Sequence, residues 1–315
     1  MNALTPRVVF FDSADPSLQA GLEALGFQCS YRPVRYAESL ELAGTFEIAV
    51  IRSRFKMDRA WLNAMKGLRC IARVGAGMEN IDAEYAATLG IACVNAPEGN
   101  RQAVAEQALG MLLILMNHLR RADTEVRNGI WRREENRGFE VEGKTIAIVG
   151  LGNNGSAFAK VLRGFDAQVI AYDPYKTAHP DQAATLVSME RVWSEADIVS
   201  LHVPLTEETR YLVNSEWLER FTKPIWLLNL ARGKCLRIAD LVRALDSGKV
   251  RGAALDVHEY ESVSFEKNEA QAPEWIELVK RENVVLSPHI GGWTHESNKK
   301  MAQILIQKIQ ATFAQ

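Results

Sequence analysis

The stretch TIAIVGLGNNGSAFAKVLRGFDAQVIAYDP, residues 145–174, decides the fold of this chain. The apolar run 146–149 stops at Gly150, and Gly150, Gly152 and Gly155 open a segment in which Ala157, Phe158, Val161 and Leu162 recur at helical spacing. Strand, tight turn and helix follow one another. A second apolar run, 169–172, ends in Asp173, about 20 residues beyond the glycines, where a dinucleotide-binding unit keeps the acid that meets a ribose. Gly150 permits the turn, Gly152 lets the backbone approach a pyrophosphate, and Gly155 lets helix and strand pack closely, while the helix N-terminus offers unpaired N–H groups to phosphate. A glycine triplet alone is a weak signal. The strand before it, the helix after it and the terminal acid make a ligand-free structural turn the poorer account. A carboxylate at 173 accepts from both ribose hydroxyls and repels a 2′-phosphate, which points to NAD rather than NADP.

The 315 residues are many for one core and comfortable for two domains. Hydrophobic content of 47%, charged content of 24% and a net charge of −2 belong to an ordinary globular chain with no basic field for nucleic acid or an anionic membrane. The cysteines at 29, 70, 93 and 235 lie far apart without paired spacing, so reduced core thiols are expected over disulfides or metal ligands. The N-terminus has no charged segment followed by a long apolar one. The longest apolar run, 108–116 broken by Gly110, is well short of the ~20 residues of a membrane span, which points to a cytoplasmic protein.

From the first residue, short apolar runs alternate with helical patterns. Strands are expected at 8–11, 48–51, 70–74 and 91–94, with helices at 17–25, 61–65 and 83–89 between them. After Asn95-Ala96-Pro97, where proline breaks regular structure, one long helix is expected over 103–128, with a second apolar face in need of a partner. Beyond the central unit come strands at 198–203, 226–230, 253–257 and 284–287, and helices near 189–195, 216–221, 238–246 and 274–280. Six strands make a full dinucleotide fold. The amphipathic segment 294–313 has no sheet of its own and is expected to return to the first domain, with crossings near 97–103 and 288–294 acting as hinges. The fold expected is therefore α/β with two doubly wound parallel sheets: a Rossmann cofactor domain, 99–288, inserted in a flavodoxin-like substrate domain, 1–98 and 289–315.

Ligands in such sheets bind beyond the carboxyl ends of the strands. There the sequence places Arg232 after 226–230, His258-Glu259-Tyr260-Glu261 after 253–257, and Pro288-His289-Ile290-Gly291-Gly292 after 284–287. The first domain offers Arg52-Ser53-Arg54, then Gly75-Ala76-Gly77, then Asn95-Ala96-Pro97. Singly, Arg232 reads equally well as a surface cation, Glu261 as a loop acid and His289 as a loop histidine; three consecutive strand ends favour the catalytic account.

These residues resemble the D-isomer-specific 2-hydroxyacid dehydrogenases, and over most of the length the short form of D-3-phosphoglycerate dehydrogenase. The matching pieces are VGAGMENID at 74–82, NAPEGNRQAVAE at 95–106, VEGKTIAIVGLGNNG at 141–155, LHVPLTEET at 201–209, NLARG at 229–233, GAALDVHEYE at 252–261 and SPHIGG at 287–292. The resemblance implies reversible hydride transfer between nicotinamide C4 and C2 of a small 2-hydroxy or 2-keto acid, with roles for Arg232, Glu261 and His289. Chemistry agrees. A planar guanidinium can meet a carboxylate and a carbonyl with directed donors, an imidazole suits proton exchange with the alkoxide, and a carboxylate on its far nitrogen fixes the ring. Cofactor contacts are expected from Gly150, Gly152, Asn153, Asn154, Gly155, Asp173, His202, Pro204, Ala231 and Asp256; an ordinary strand-end turn is a near-equal account of His202 and Pro204.

Substrate contacts are expected from Arg52, Ser53, Arg73, Gly75, Ala76 and Gly77. The backbone N–H groups of 75–77 can hold a carboxylate, and in phosphoglycerate dehydrogenases arginines matching Arg52 and Arg73 help bind the phosphate. Arg54 and Arg59 read as an exposed helical face. Asn100 and Arg101 have no distinct task. The sequence departs from the family where Asn153-Asn154 replaces an arginine and an apolar residue, where His258 replaces an aromatic, and where Ser262 follows Glu261 in place of proline. With the last helix at the C-terminus, a regulatory domain and serine feedback are not expected. Within the enzyme class the alternative is a glyoxylate, hydroxypyruvate or broad 2-ketoacid reductase. A formate dehydrogenase is disfavoured because a glutamine usually stands at the position of Glu261. From another class comes an NADH-sensing binding protein similar to the C-terminal-binding-protein corepressors. A homodimer is expected from the family and from the helix at 103–128.

Overall fold

The computed structural model describes residues 5–177, 182–261 and 272–313. Within them the chain forms two compact units, one taking residues up to Arg101 and again from Gly292, the other running from Gln102 to Gly291.

In the first unit the elements are β1 (Arg7–Phe10), α1 (Pro16–Ala24), β2 (Gln28–Tyr31), α2 (Tyr36–Leu40), β3 (Ile48–Ile51), α3 (Arg59–Ala64), β4 (Cys70–Arg73), α4 (Ala83–Thr88) and β5 (Ala92–Asn95). The strands are all parallel in the order β2-β1-β3-β4-β5, the flavodoxin-like arrangement. Both faces of this sheet are covered, which is why its inner strands read as continuous apolar runs. Val8, Phe10, Ile48, Val50 and Ala72 share a core with Leu18 and Leu22 of α1, while Val9, Ala49, Ile51 and Ile71 share the opposite core with Trp61 and Leu62 of α3. Asp15, Asp58 and Asp82 each accept a backbone N–H at the start of a helix, fixing where α1, α3 and α4 begin.

Next come α5 (Pro97–Met116) and α6 (Leu119–Arg127), followed by β6 (Thr145–Val149), α7 (Asn153–Val161), β7 (Gln168–Tyr172), β8 (Thr185–Leu186), α8 (Met189–Glu195), β9 (Ile198–Leu201), α9 (Ser215–Glu219), β10 (Ile225–Asn229), α10 (Ile238–Asp246), β11 (Val250–Leu255), α11 (Pro273–Leu278) and β12 (Val284–Leu286). The seven strands run parallel in the order β12-β11-β10-β9-β6-β7-β8, a Rossmann sheet with one added edge strand. Its order reverses between β6 and β9, so the turns after those two strands lie where ligands bind. The last helix, α12 (His295–Phe313), puts Met301, Leu305 and Ile309 into the core of the first sheet; a Cβ at Gly21 of α1 would meet Ile306 Cδ1 at 2.3 Å.

Several expectations are corrected. The single helix over 103–128 is two helices, because Phe139 N–H donates to the Met116 carbonyl at 3.0 Å and His118 takes a left-handed φ of 52° between them. Pro97 does not interrupt structure; it is the first residue of α5, where its missing N–H costs nothing. Arg54 is not on a helix, since α3 starts at Arg59, and its guanidinium pairs with Asp12 at 3.1 Å. Strand β2 has no continuous apolar run to announce it, and β8 is only two residues long; both are edge strands. All four cysteines are free thiols, and no helix among the described residues is long and apolar enough to cross a membrane.

At the glycine turn there is room for hydrogen alone. A Cβ at Gly155 would stand 2.1 Å from the Gly150 carbonyl oxygen, a backbone atom that cannot swing aside. Gly155→Ala should therefore lower stability by at least ~2 kcal/mol, measured by urea unfolding; an unchanged midpoint would show that α7 can lift off β6 without cost.

Candidate active site

His289 and Glu261 meet directly, with Nδ1 of the imidazole 2.9 Å from Oε2 of the carboxylate. Glu261 is itself held, its Oε1 accepting the His258 N–H at 2.6 Å. The loop carrying His289 needs more support, because this residue adopts a left-handed φ of 56°, uncommon outside glycine. Asp256, only 2% exposed at the end of β11, supplies that support. Its carboxylate accepts from Ser287 Oγ at 2.5 Å, Ile290 N at 2.9 Å and Gly291 N at 2.8 Å, and its carbonyl accepts the His289 N–H at 2.8 Å. Burial pushes the Asp256 carboxyl above its ordinary range while these donors pull it back down. Expected as a cofactor contact, Asp256 has its carboxylate committed to the loop.

Arg232 follows the neighbouring strand β10. Asn229, fully buried, clamps its turn by accepting from Ala231 N and donating to the Arg232 carbonyl, both at 3.1 Å. Arg232 Nη1 donates to the Ala231 carbonyl at 2.7 Å. The loop bearing Glu261 lies against this turn so closely that a Cβ at Gly233 would stand 2.0 Å from the His258 carbonyl oxygen. Three adjacent strand ends of one unit thus bring Arg232, Glu261 and His289 together as neighbouring loops. Ser262, whose replacement of proline was noted, lies outside the described residues.

Of the residues expected to meet the cofactor, those of the glycine turn follow β6 and His202 and Pro204 follow β9, on either side of the reversal of strand order. Gly150 has φ 93°, and a Cβ there would meet the His202 carbonyl group at 2.9 Å. Gly152, the N-cap of α7, opens onto free space and has no side-chain cap, while Asn154 Oδ1 is buried without a partner. An uncapped helix N-terminus beside open backbone and an unsatisfied amide fits the pyrophosphate of a dinucleotide. Asn153 is exposed on the first turn. Asp173 Oδ2 accepts the Leu151 N–H at 2.8 Å and Oδ1 the Tyr175 N–H at 3.0 Å, so this acid braces the turn. Of His202 it is the backbone that borders the glycines. Its ring turns inward, Nε2 on Ser200 Oγ at 2.8 Å and the ring centre 5.4 Å from that of Phe158, and burial depresses its pKa to about 4. The Pro204 carbonyl accepts from Thr209 Oγ1 at 2.6 Å.

In the first unit, Arg52 and Arg73 sit at the carboxyl ends of adjacent strands, Ile51 pairing with Arg73 in register. Asp12 shapes the turn after β3 by accepting from Arg52 N at 2.7 Å, Ser53 N at 3.1 Å and Arg54 N at 3.2 Å. Gly75 has φ 147° and packs so tightly on the Arg73 guanidinium that a Cβ would lie 1.6 Å from Nη1. Asn95 holds the same loop by donating to the Ala76 carbonyl at 2.6 Å, and the Gly75 carbonyl accepts from Ala96 N at 2.9 Å. Gly77 is buried. Asp12 and Asn229, absent from the expected contacts, are each a polar residue set at the end of an apolar strand, a pattern visible in the sequence.

A family profile, D-isomer specific 2-hydroxyacid dehydrogenase, NAD binding domain, matches residues 109–291. The hydroxypyruvate reductase of Thermotoga maritima is 35% identical over 272 residues, covering 86% of each chain. The D-3-phosphoglycerate dehydrogenase of Bacillus subtilis is 36% identical over 267 residues, 84% of this chain and 49% of that one; the chain spans about half the length of the phosphoglycerate dehydrogenases it matches. Among solved structures, the D-lactate dehydrogenase of Aquifex aeolicus in complex with NAD and lactic acid superposes with a TM-score of 0.84 at 25% identity, covering 97% of this chain and 94% of that one. The chain belongs to the D-isomer-specific 2-hydroxyacid dehydrogenase family and is an NAD-dependent oxidoreductase of that class.

The inward-turned His202 has a consequence for stability. Unfolded, its imidazole titrates near 6.5; folded, near 4. Between those values the unfolded chain binds the extra proton, so this contribution is intact above 6.5 and fades as the pH falls. From pH 7 to pH 5 the parent should lose ~2 kcal/mol more unfolding free energy than His202→Gln. Parallel urea curves at the two pH values test this, and an equal loss in both proteins would mean that the ring protonates freely in the fold.

Proposed function

We propose that the enzyme interconverts 3-phosphoglycerate and 3-phosphohydroxypyruvate, an oxidation that leads toward serine. Bound NAD supplies or accepts the hydride at nicotinamide C4. Arg232 orients the substrate carboxylate and polarises the C2 carbonyl through its in-plane N–H donors. The alkoxide left by hydride addition takes a proton from His289 Nε2, and in the oxidative direction the same nitrogen removes the hydroxyl proton. Glu261 accepts Nδ1–H throughout, setting the tautomer and favouring the imidazolium. Backbone N–H groups of Gly75, Ala76 and Gly77 receive the carboxylate. Gly150, Gly152, Asn153, Asn154 and Gly155 receive the pyrophosphate, with Asp173 on the ribose and His202, Pro204 and Ala231 lining the cofactor's path.

The phosphate is assigned to Arg52, Ser53 and Arg73. This assignment is carried by one observation, that Arg52 directly follows the residue paired with Arg73, so two guanidinium groups leave the same end of one sheet. Hydroxypyruvate reduction is the second reading, favoured by the Thermotoga maritima relative that matches over 86% of both chains. We also propose a homodimer. Among the described residues, Leu119, Val126, Ile130, Trp131 and Phe139 present large exposed apolar side chains within one short stretch, Trp131 at 77% exposure. Free thiols throughout suit a cytoplasmic setting.

His289→Ala should lower kcat by about 10³-fold while NADH binding, followed by fluorescence, stays within about threefold of the parent. Retained turnover would remove the imidazole from the reaction. NADH oxidation with 3-phosphohydroxypyruvate and with hydroxypyruvate decides the substrate: Arg52→Ala should reduce the preference for the phosphorylated acid by about tenfold or more. Equal losses on both acids would leave hydroxypyruvate reduction standing.

A further inference from the structure

Trp293 belongs to no motif that the reaction uses. It stands just before α12, half exposed at 50%, an expensive place for an indole. The guanidinium carbon of Arg52 lies 4.0 Å from the centre of its ring. Both residues belong to the first unit, and both backbones are fixed. Asp12 holds the Arg52 N–H. On the other side, Thr294 and Ser297 cap α12 reciprocally, Thr294 N donating to Ser297 Oγ and Ser297 N to Thr294 Oγ1, each at 3.0 Å. Ser297 Oγ also donates to the Gly292 carbonyl at 2.7 Å. Asn100 packs closely on Gly292, where a Cβ would meet its side-chain amide at 2.5 Å. The backbone on both sides of the ring is therefore held in place.

We propose that Trp293 is a positioning residue that acts through Arg52, holding the guanidinium by its face so that its in-plane N–H donors are presented to the second anionic group of the substrate, a phosphate. This rests on the assignment of Arg52 to that phosphate. An arginine has four rotatable side-chain bonds, and ordering them on substrate binding opposes affinity. A cation stacked on an indole is ordered beforehand, and the apolar ring excludes water from one side of the charge, strengthening its pull on an anion. Arg52 also follows β3 where the strand order of its sheet reverses, the place in a doubly wound sheet where ligands bind. Lysine cannot substitute: it has the charge without the plane.

The test compares parent, Trp293→Leu, Trp293→Phe, Arg52→Lys and Arg52→Ala on 3-phosphohydroxypyruvate and hydroxypyruvate at saturating NADH, with inorganic phosphate as a competing probe. Trp293→Leu should raise KM for the phosphorylated acid about tenfold more than KM for hydroxypyruvate, with kcat for the phosphorylated acid changed far less than its KM. It should weaken inhibition by inorganic phosphate in step, and Trp293→Phe should restore most of both. If Trp293→Leu does not fold, Arg52→Lys decides, because it keeps the charge and leaves the indole in place. A lysine that discriminates as well as arginine overturns the proposal. So does a Trp293→Leu enzyme whose two KM values rise together, or a phenylalanine no better than leucine. When Arg52→Ala abolishes discrimination and Trp293→Leu leaves it intact, the positioning role alone falls; when Arg52→Ala leaves discrimination intact, the phosphate assignment falls with it.

Discussion

One buried carboxylate organises the proposed reaction site. Asp256 is almost wholly out of water, and a group so placed is tolerated only when its oxygens are occupied. They are occupied by a hydroxyl and two backbone N–H groups of the loop that follows β12. The same residue's carbonyl accepts the N–H of His289, which takes a left-handed φ that is uncommon outside glycine. The chain therefore ties the imidazole to the end of β11, and β11 also leads into the loop of Glu261. Acid and histidine are set by one anchor on one strand, so their 2.9 Å separation does not depend on independently moving loops.

Close backbone approach plays the complementary part at Arg232. With no side chain at Gly233, the His258 carbonyl can come within contact of that turn, and Asn229 keeps the turn in shape from below. The proposed reaction uses a cation, an imidazole and a carboxylate together, and in this chain all three follow neighbouring strands of one sheet. The proposed substrate contacts are built on the same plan in the other unit, where Asp12 gathers three N–H groups after β3 and Arg73 lies under Gly75.

Much of this was legible from residues alone. Gly150, Gly152, Gly155 and Asp173 announce strand, turn, helix and strand because Gly150 and Gly155 answer local steric demands while Gly152 leaves open backbone at the start of the helix, and the buried strands announce themselves because both faces of each sheet are covered. What escaped notice is non-local. The helix break at His118 is set by Phe139, which lies well along the chain, and nothing between Asn117 and Leu119 demands it. Strand β2 sits at an edge and has no apolar pattern. Arg54 shares a basic run with Arg59, yet its partner is Asp12. Asp256 could be named as important without its employment being known, since Ser287, Ile290 and Gly291 reach it from another strand.

The bracing role of Asp173, beside its proposed contact with the ribose, bears on any attempt to redesign this enzyme for a phosphorylated cofactor. One of its oxygens receives the amide of Leu151, in the middle of the glycine turn. Exchanging the acid for a small neutral residue would remove a negative charge and, in the same stroke, a tie-rod of the turn proposed to receive the diphosphate. A successful redesign has to replace the strut as well as the charge, for instance with an asparagine whose amide oxygen can keep the Leu151 bond while a cation is introduced nearby.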